Sequence, residues 1–193
     1  MKSLLASGLA LALMAGLVST AVFSADPDKE KEWERLATPG TFHKKLDPLV
    51  GDWNVTMTCF EKGVAKPEIT KGKATRKLIL GNRFVEERLE GEAHDKPFNG
   101  LGVFGYDNGS KKYESVWCDT ASTCLMTMTG TIDDAGKVFT YTPTFDDPIT
   151  GKPSTGRILV TIVNRDENKV EMLNETPEGK EIKLFEAVYT RTK

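Results

Sequence analysis

Side chains able to carry out chemistry are sparse in this sequence and poorly assembled. Its two histidines, His43 and His94, stand far apart. With no Gly-x-Ser-x-Gly elbow, neither has the context of a Ser-His-Asp hydrolase, and they lack the paired spacing of a zinc site. The doubled carboxylates Asp133-Asp134 and Asp146-Asp147 lie in turns with Gly or Pro nearby, where solvated caps are the default and paired acid-base catalysis the exception. Met57-Thr58-Cys59 and Met126-Thr127-Met128 set soft ligands two residues apart, a spacing Cu(I) accepts on one strand face, although methionine more often fills gaps in a core. Three cysteines, Cys59, Cys118 and Cys124, allow one disulfide. Cys118 with Cys124 across the turn "DTAST" is one candidate, and Cys59 with either is the alternative.

One charge pair is less ordinary. Gly81-Asn82 forms a two-residue turn between "KGKATRKLIL" and "RFVEERLEG", which sets Leu80 opposite Arg83 and fixes every pair upstream. One face then carries Lys77 with Glu86 and Lys73 with Glu90, opposite charges suited to a wet surface. The other carries Leu78 with Val85, Arg76 with Glu87, Ala74 with Leu89 and Gly72 with Gly91. That second face is the inward one, apolar except for one arginine facing one glutamate. An ion pair inside a barrel costs several kcal/mol of desolvation per ion, so Arg76 and Glu87 mark either a polar cavity or a hold on a ligand's charged end. A solvated position at the rim is the bland alternative. In "GLGVFGYDNGSKKYESVWCD" a turn centred on Asn108-Gly109 places Gly102, Phe104 and Tyr106 on one face with Tyr113, Ser115, Trp117 and Asp119. Large rings beside glycines can shape a pocket rather than fill it.

These residues need a sheet to position them. From Gly51 onward apolar residues recur with period two, first as Trp53, Val55, Met57 and Cys59. Similar runs follow at about 69–80, 83–92, 100–106, 112–119, 124–132, 137–145, 157–165, 169–175 and 181–191, separated by turns such as "DNGS", "DDAG" and "RDEN". About ten short strands with no helix between them make an all-β antiparallel meander. Closure into an up-and-down β-barrel best removes its edges, with a sandwich as the runner-up. Residues 26–50 precede it as a short helical cover: "DPDKEKEWERLA" sets Trp33 and Leu36 on one face, and "TFHKKLDPLV" continues at near-helical spacing. His43 on that cover and His94 in a loop are expected to be exposed.

The first residues predict a compartment. Met1-Lys2 and then "LLASGLALALMAGLV" have the form of a signal peptide, an apolar run of about 15 residues, too short for a membrane span. Cleavage falls between residues 21 and 25, which divides the chain into a leader (1–25), a helical segment (26–50) and a barrel domain (51–193). Loss of Lys2 with the leader takes the formal charge from −2 to −3. Acidic and basic residues are interspersed, which excludes a nucleic-acid stripe, and no second apolar segment has membrane-spanning length. An exported protein, periplasmic or extracellular, is expected.

Gly51-Asp52-Trp53, after a helical turn and before a meander, resembles the Gly-x-Trp that begins the first strand of calycins, where the tryptophan closes one end of the barrel. "KLDPLVGDW", "GKATRKLILGNRFVEERLEG", "PFNGLGVFGYDNGSKKYESVWCDTAST", "DDPITGK" and "PEGKEIKLFEAVYTR" together resemble the exported bacterial domain-of-unknown-function family fifteen-seventy-nine. That resemblance implies a lipocalin-like barrel and supplies no catalytic residues. The haem-binding nitrobindins are similar at Gly-x-Trp but hold iron through a late-strand histidine. None occurs in the last two strands here, which leaves only His43 or Met172 as substitutes.

The expectation is a carrier without a resident cofactor, taking a small amphipathic or hydrophobic molecule among Arg76, Glu87, Phe104, Tyr113, Trp117 and Asp119. A haem barrel, an enzyme using Glu87 or Asp119 as an interior carboxylate, and a filled barrel serving as a partner scaffold are the alternatives.

Overall fold

Trp53, Val55 and Met57 are 1%, 2% and 4% exposed, while the residues between them face solvent. This is the alternation a strand needs to bury one face. In the computed structural model, which describes residues 26–60, 66–144, 151, 156–175 and 179–193, that strand is β1 (Gly51–Cys59). It is followed by β2 (Glu68–Ile79), β3 (Phe84–Ala93), β4 (Lys96–Asp107), β5 (Lys112–Asp119), β6 (Met126–Ile132), β7 (Val138–Thr144), β8 (Arg157–Asn164), β9 (Glu167–Glu175) and β10 (Glu181–Arg191). Each strand pairs antiparallel with its sequence neighbours, and β1 also pairs with β10, Val55 lying opposite both Gly72 and Tyr189. The ten strands form a closed barrel with no edge to protect. The leader lies outside the described residues.

The register of the β2–β3 hairpin is the expected one, with Arg76 opposite Glu87, Lys77 opposite Glu86 and Ala74 opposite Leu89. Its turn is longer than two residues. The strands stop at Ile79 and Phe84, Leu80, Gly81 and Asn82 all have positive φ, and the Arg83 amide donates to the Ile79 carbonyl. Adding one residue on each side keeps the parity, so the inward face is unchanged.

A cover closes one end. Asp26 caps α1 (Pro27–Ala37), accepting from the Asp28 amide at 3.1 Å. α1 buries no residue, and Trp33 is 74% exposed. Polar contacts hold it instead: Asn108 donates to the carbonyls of Leu36 and Thr38, and Arg83 to that of Ala37. α2 (Thr41–Lys44) and a 3₁₀ turn (Asp47–Leu49) drive Leu46 and Leu49 into the core beside Val85, Tyr113 and Phe139. His43 is buried rather than exposed, at 6%. Its Nδ1 accepts from the Gly40 amide at 3.0 Å, and its ring meets Tyr106 edge-on. Burial lowers its pKa, so the neutral ring is the favoured form.

Trp53 seals the same end. Its indole N–H donates to the Leu49 carbonyl at 3.1 Å, and the Arg191 guanidinium lies 4.1 Å from the ring centroid. Gly51 has φ +136°, and a Cβ there would collide with Arg191 Nη1. Glycine therefore admits both the backbone angle and the arginine that lids the tryptophan.

Candidate functional site

The barrel encloses a cavity of about 400 Å³. Its two ends follow from the register. β1 leaves the cover at Gly51, opposite Arg76, and ends at Cys59, opposite Glu68. Arg76 and Glu87 therefore lie at the covered end with Leu49, and Glu68 lies at the mouth. Between them the wall is apolar, formed by Met57, Leu89, Phe98, Phe104, Met128, Val160, Val170, Met172 and Phe185. Methionine and aromatic side chains give such a wall shape and polarisability without a fixed polar pattern.

Trp117 is placed by two glycines. It stands opposite Gly102 and beside Gly100 on the facing strand. Cβ atoms at these glycines would press on the indole, at 3.0 Å for Gly102 and closer for Gly100. Its N–H donates to Asp119 Oδ2 at 2.8 Å, and Asp119 Oδ1 accepts from the Ala121 amide at 2.9 Å. The missing side chains on β4 thus let the ring lie along the wall.

The charged pair at the covered end is engaged within the protein, although Arg76 Nε and the neighbouring Asn168 Nδ2 have no hydrogen-bond partner among the described residues. Arg76 and Glu87 are 2% and 5% exposed. Arg76 Nη2 donates to Glu87 Oε1 at 3.2 Å, Nη1 donates to Asn168 Oδ1 at 2.8 Å, and Nε lies 3.0 Å from Glu87 Oε2. That Nε contact is an ion pair without hydrogen-bond alignment. The guanidinium stacks on the Tyr189 ring at 4.0 Å. Burial, the largest single influence, would lower the Arg76 pKa, but the Glu87 charge together with Glu87 hydrogen bonding and Tyr189 outweighs it and the net shift is upward. Burial first, then the Glu87 charge, pushes the Tyr189 phenol far up. The guanidinium is held charged, and both side chains are already engaged with each other.

Five of the six residues expected at the site line the cavity: Arg76, Glu87, Phe104, Trp117 and Asp119. Tyr113 does not. It is 1% exposed beneath the cover, packed edge-on against Tyr106 and Phe139, and its hydroxyl donates to the Phe42 carbonyl at 3.0 Å. Burial pushes its phenol up to about 12. Asn168 and Tyr189 complete the charged cluster without having been singled out in the sequence. Asn168 follows the inward alternation of Val170 and Met172 on β9, so a lone amide on an apolar strand face was the available signal.

Other expectations need correction. Cys118 and Cys124 are not joined. The β5–β6 register sets Trp117 opposite Met126, and extending it places Cys118 opposite Leu125 rather than Cys124. The Cys118 thiol lies 3.9 Å from the Leu101 carbonyl instead. His43 points into the cover, so it does not substitute as a haem ligand. The other histidine, His94, lines the mouth, with Nδ1 2.9 Å from Glu68 Oε2. Met172 lines the wall with no imidazole among the nearby described residues. Among the described residues, no group of three His, Cys, Asp or Glu side chains could hold a metal ion.

A ten-stranded closed antiparallel meander, sealed at one end by a helical turn and a tryptophan and hollow along its axis, is a lipocalin-like barrel. The chain belongs to the family described as "Protein of unknown function (DUF1579)", whose model matches residues 38–191. Among solved structures it is similar to Rv2717c from M. tuberculosis, at 17% identity and a TM-score of 0.59 over 81% of this chain and 100% of that one. It is also similar to the S-type phycobiliprotein lyase CPES from Guillardia theta, at 11% identity and a TM-score of 0.52 over 80% and 99% of the two chains. Both likenesses are of fold. No curated protein matches the sequence at a significant level.

Proposed function

We propose that this protein is an exported carrier that holds one small hydrophobic or amphipathic molecule inside its barrel. The observation that carries this reading is the apolar cavity of about 400 Å³, within the range of small-molecule sites. A barrel serving only as a partner scaffold has no use for such a hollow, since filling it would add stability. Binding fits the polar groups better than turnover does. Glu87 is committed to Arg76, and Asp119 accepts from Trp117 and Ala121, so neither is poised as a base. The phycobiliprotein lyase shares the barrel, which supports an interior open to small molecules. The leader-like residues 1–25 support export to the periplasm or beyond, and no helix among the described residues is long and apolar enough to cross a membrane.

Titration with N-phenyl-1-naphthylamine, a neutral dye that fluoresces in apolar surroundings, tests the carrier reading. Saturable enhancement at one dye per protein is expected. Enhancement that never saturates, or none at all, would remove the reading. Mass analysis of the mature protein, with cleavage expected between residues 21 and 25, tests export.

A further inference from the structure

We propose that the cavity selects cationic amphiphiles over anionic ones, with the apolar tail deep and the cationic head at the mouth. This rests on the carrier reading and adds a ligand class to it. An arginine at the bottom of a barrel suggests a receptor for a ligand carboxylate, but here the geometry opposes that role. Both Glu87 oxygens face the Arg76 guanidinium, Asn168 takes a third nitrogen and Tyr189 covers its face. A carboxylate arriving there would have to expel Glu87 from a site where both charges are buried, leaving two anions to share one cation.

With Arg76 and Glu87 cancelling, the charge balance of the lining is set at the mouth. Glu68 and Asp119 line it from the inward face, and among the described lining residues His94, beside Glu68, is the one cationisable group there. Glu68 and Asp119 share the inward parity of Arg76 and Trp117 on their strands. Carboxylates around the opening of a low-dielectric hollow focus a negative potential along the entry path. A cationic head left at that level keeps its water and meets two inward carboxylates; an anionic head meets repulsion at the rim and a guanidinium below that is already engaged.

The test displaces N-phenyl-1-naphthylamine with decyltrimethylammonium, decanoate and 1-decanol, which share one alkyl chain. At low salt the cation is expected to displace the dye at about one quarter the concentration decanoate requires, each of the two partly solvated carboxylates contributing a factor of about two. The alcohol should fall between them, and the gap should narrow as salt is added. Glu68→Gln with Asp119→Asn, which removes both charges and keeps one acceptor oxygen at each position, should remove most of the preference. Arg76→Met with Glu87→Met should leave the preference in place, since the pair carries no net charge. Decanoate binding as well as or better than the cation would overturn the inference, as would a preference indifferent to salt. Failure of the dye to bind in the unmodified protein would remove the carrier reading itself, so the two failures are distinct.

Discussion

The buried pair makes a sharp energetic prediction. Arg76→Met leaves Glu87 in a site where it was 5% exposed, without its cationic partner; Glu87→Met leaves the guanidinium with Asn168 and the Tyr189 ring. An uncompensated buried charge costs about 3–5 kcal/mol. For a domain of this size that corresponds to a fall in Tm of about 6–20 °C. The double variant removes both charges. It gains back the desolvation of two ions but forfeits the stacking on Tyr189 and leaves the Asn168 oxygen unpaired, costs of about 1–3 kcal/mol each. Its stability should therefore lie within about 2 kcal/mol of the unmodified protein, and the coupling between the sites should be at least about 3 kcal/mol. Urea denaturation followed by tryptophan fluorescence gives all four corners of the cycle. Single losses below about 1 kcal/mol that simply add would refute the reasoning, because they would mean that both groups reach water.

Gly100→Val places a branched side chain against the Trp117 ring. It should cost about 1–3 kcal/mol, alter the near-UV circular dichroism and weaken dye binding; an unchanged spectrum would show that the ring does not lie where described. Trp53→Phe removes a buried donor to the Leu49 carbonyl at 3.1 Å and should cost about 1–3 kcal/mol, measured by urea midpoint. His43 is held neutral, with its pKa lowered from 6.5 chiefly by burial. Between that depressed value and 6.5 the unfolded chain binds more protons, so stability is full above pH 6.5 and declines as the pH falls through this window. His43→Asn should flatten that part of a stability–pH profile; an identical slope in both proteins would show that another group is responsible.

Much of this site was written in strand parity. The Gly81-Asn82 turn pinned Arg76 to Glu87 although the turn itself is longer, because a hairpin lengthened symmetrically keeps its facing residues. The rings of β4 and β5 came out on the inner face for the same reason. What parity within one hairpin does not give is which inward residues meet across the barrel. Arg76 and Asn168 are 92 positions apart, and their contact depends on closure. The same gap explains Tyr113: it shares the inner face of Trp117, but how far the cover descends decides whether a ring lines the hollow or supports the lid. His43 was expected in solvent because it lies on the short helical cover. Its burial follows from the 3₁₀ turn carrying Leu46 and Leu49 inward. The methionines, set aside as gap-fillers or soft ligands, turn out to form the cavity wall, since period two places Met57, Met128 and Met172 beside the ring-bearing strands.

The hollow interior as the binding site is tested most directly by filling it. Val160 and Val170 face each other across β8 and β9 and both line the cavity. Dye titration should be compared between the unmodified protein and the Val160→Phe, Val170→Phe variant, with folding checked by circular dichroism. Binding should be lost in the filled barrel while the fold remains; undiminished binding there would place the ligand somewhere other than the interior.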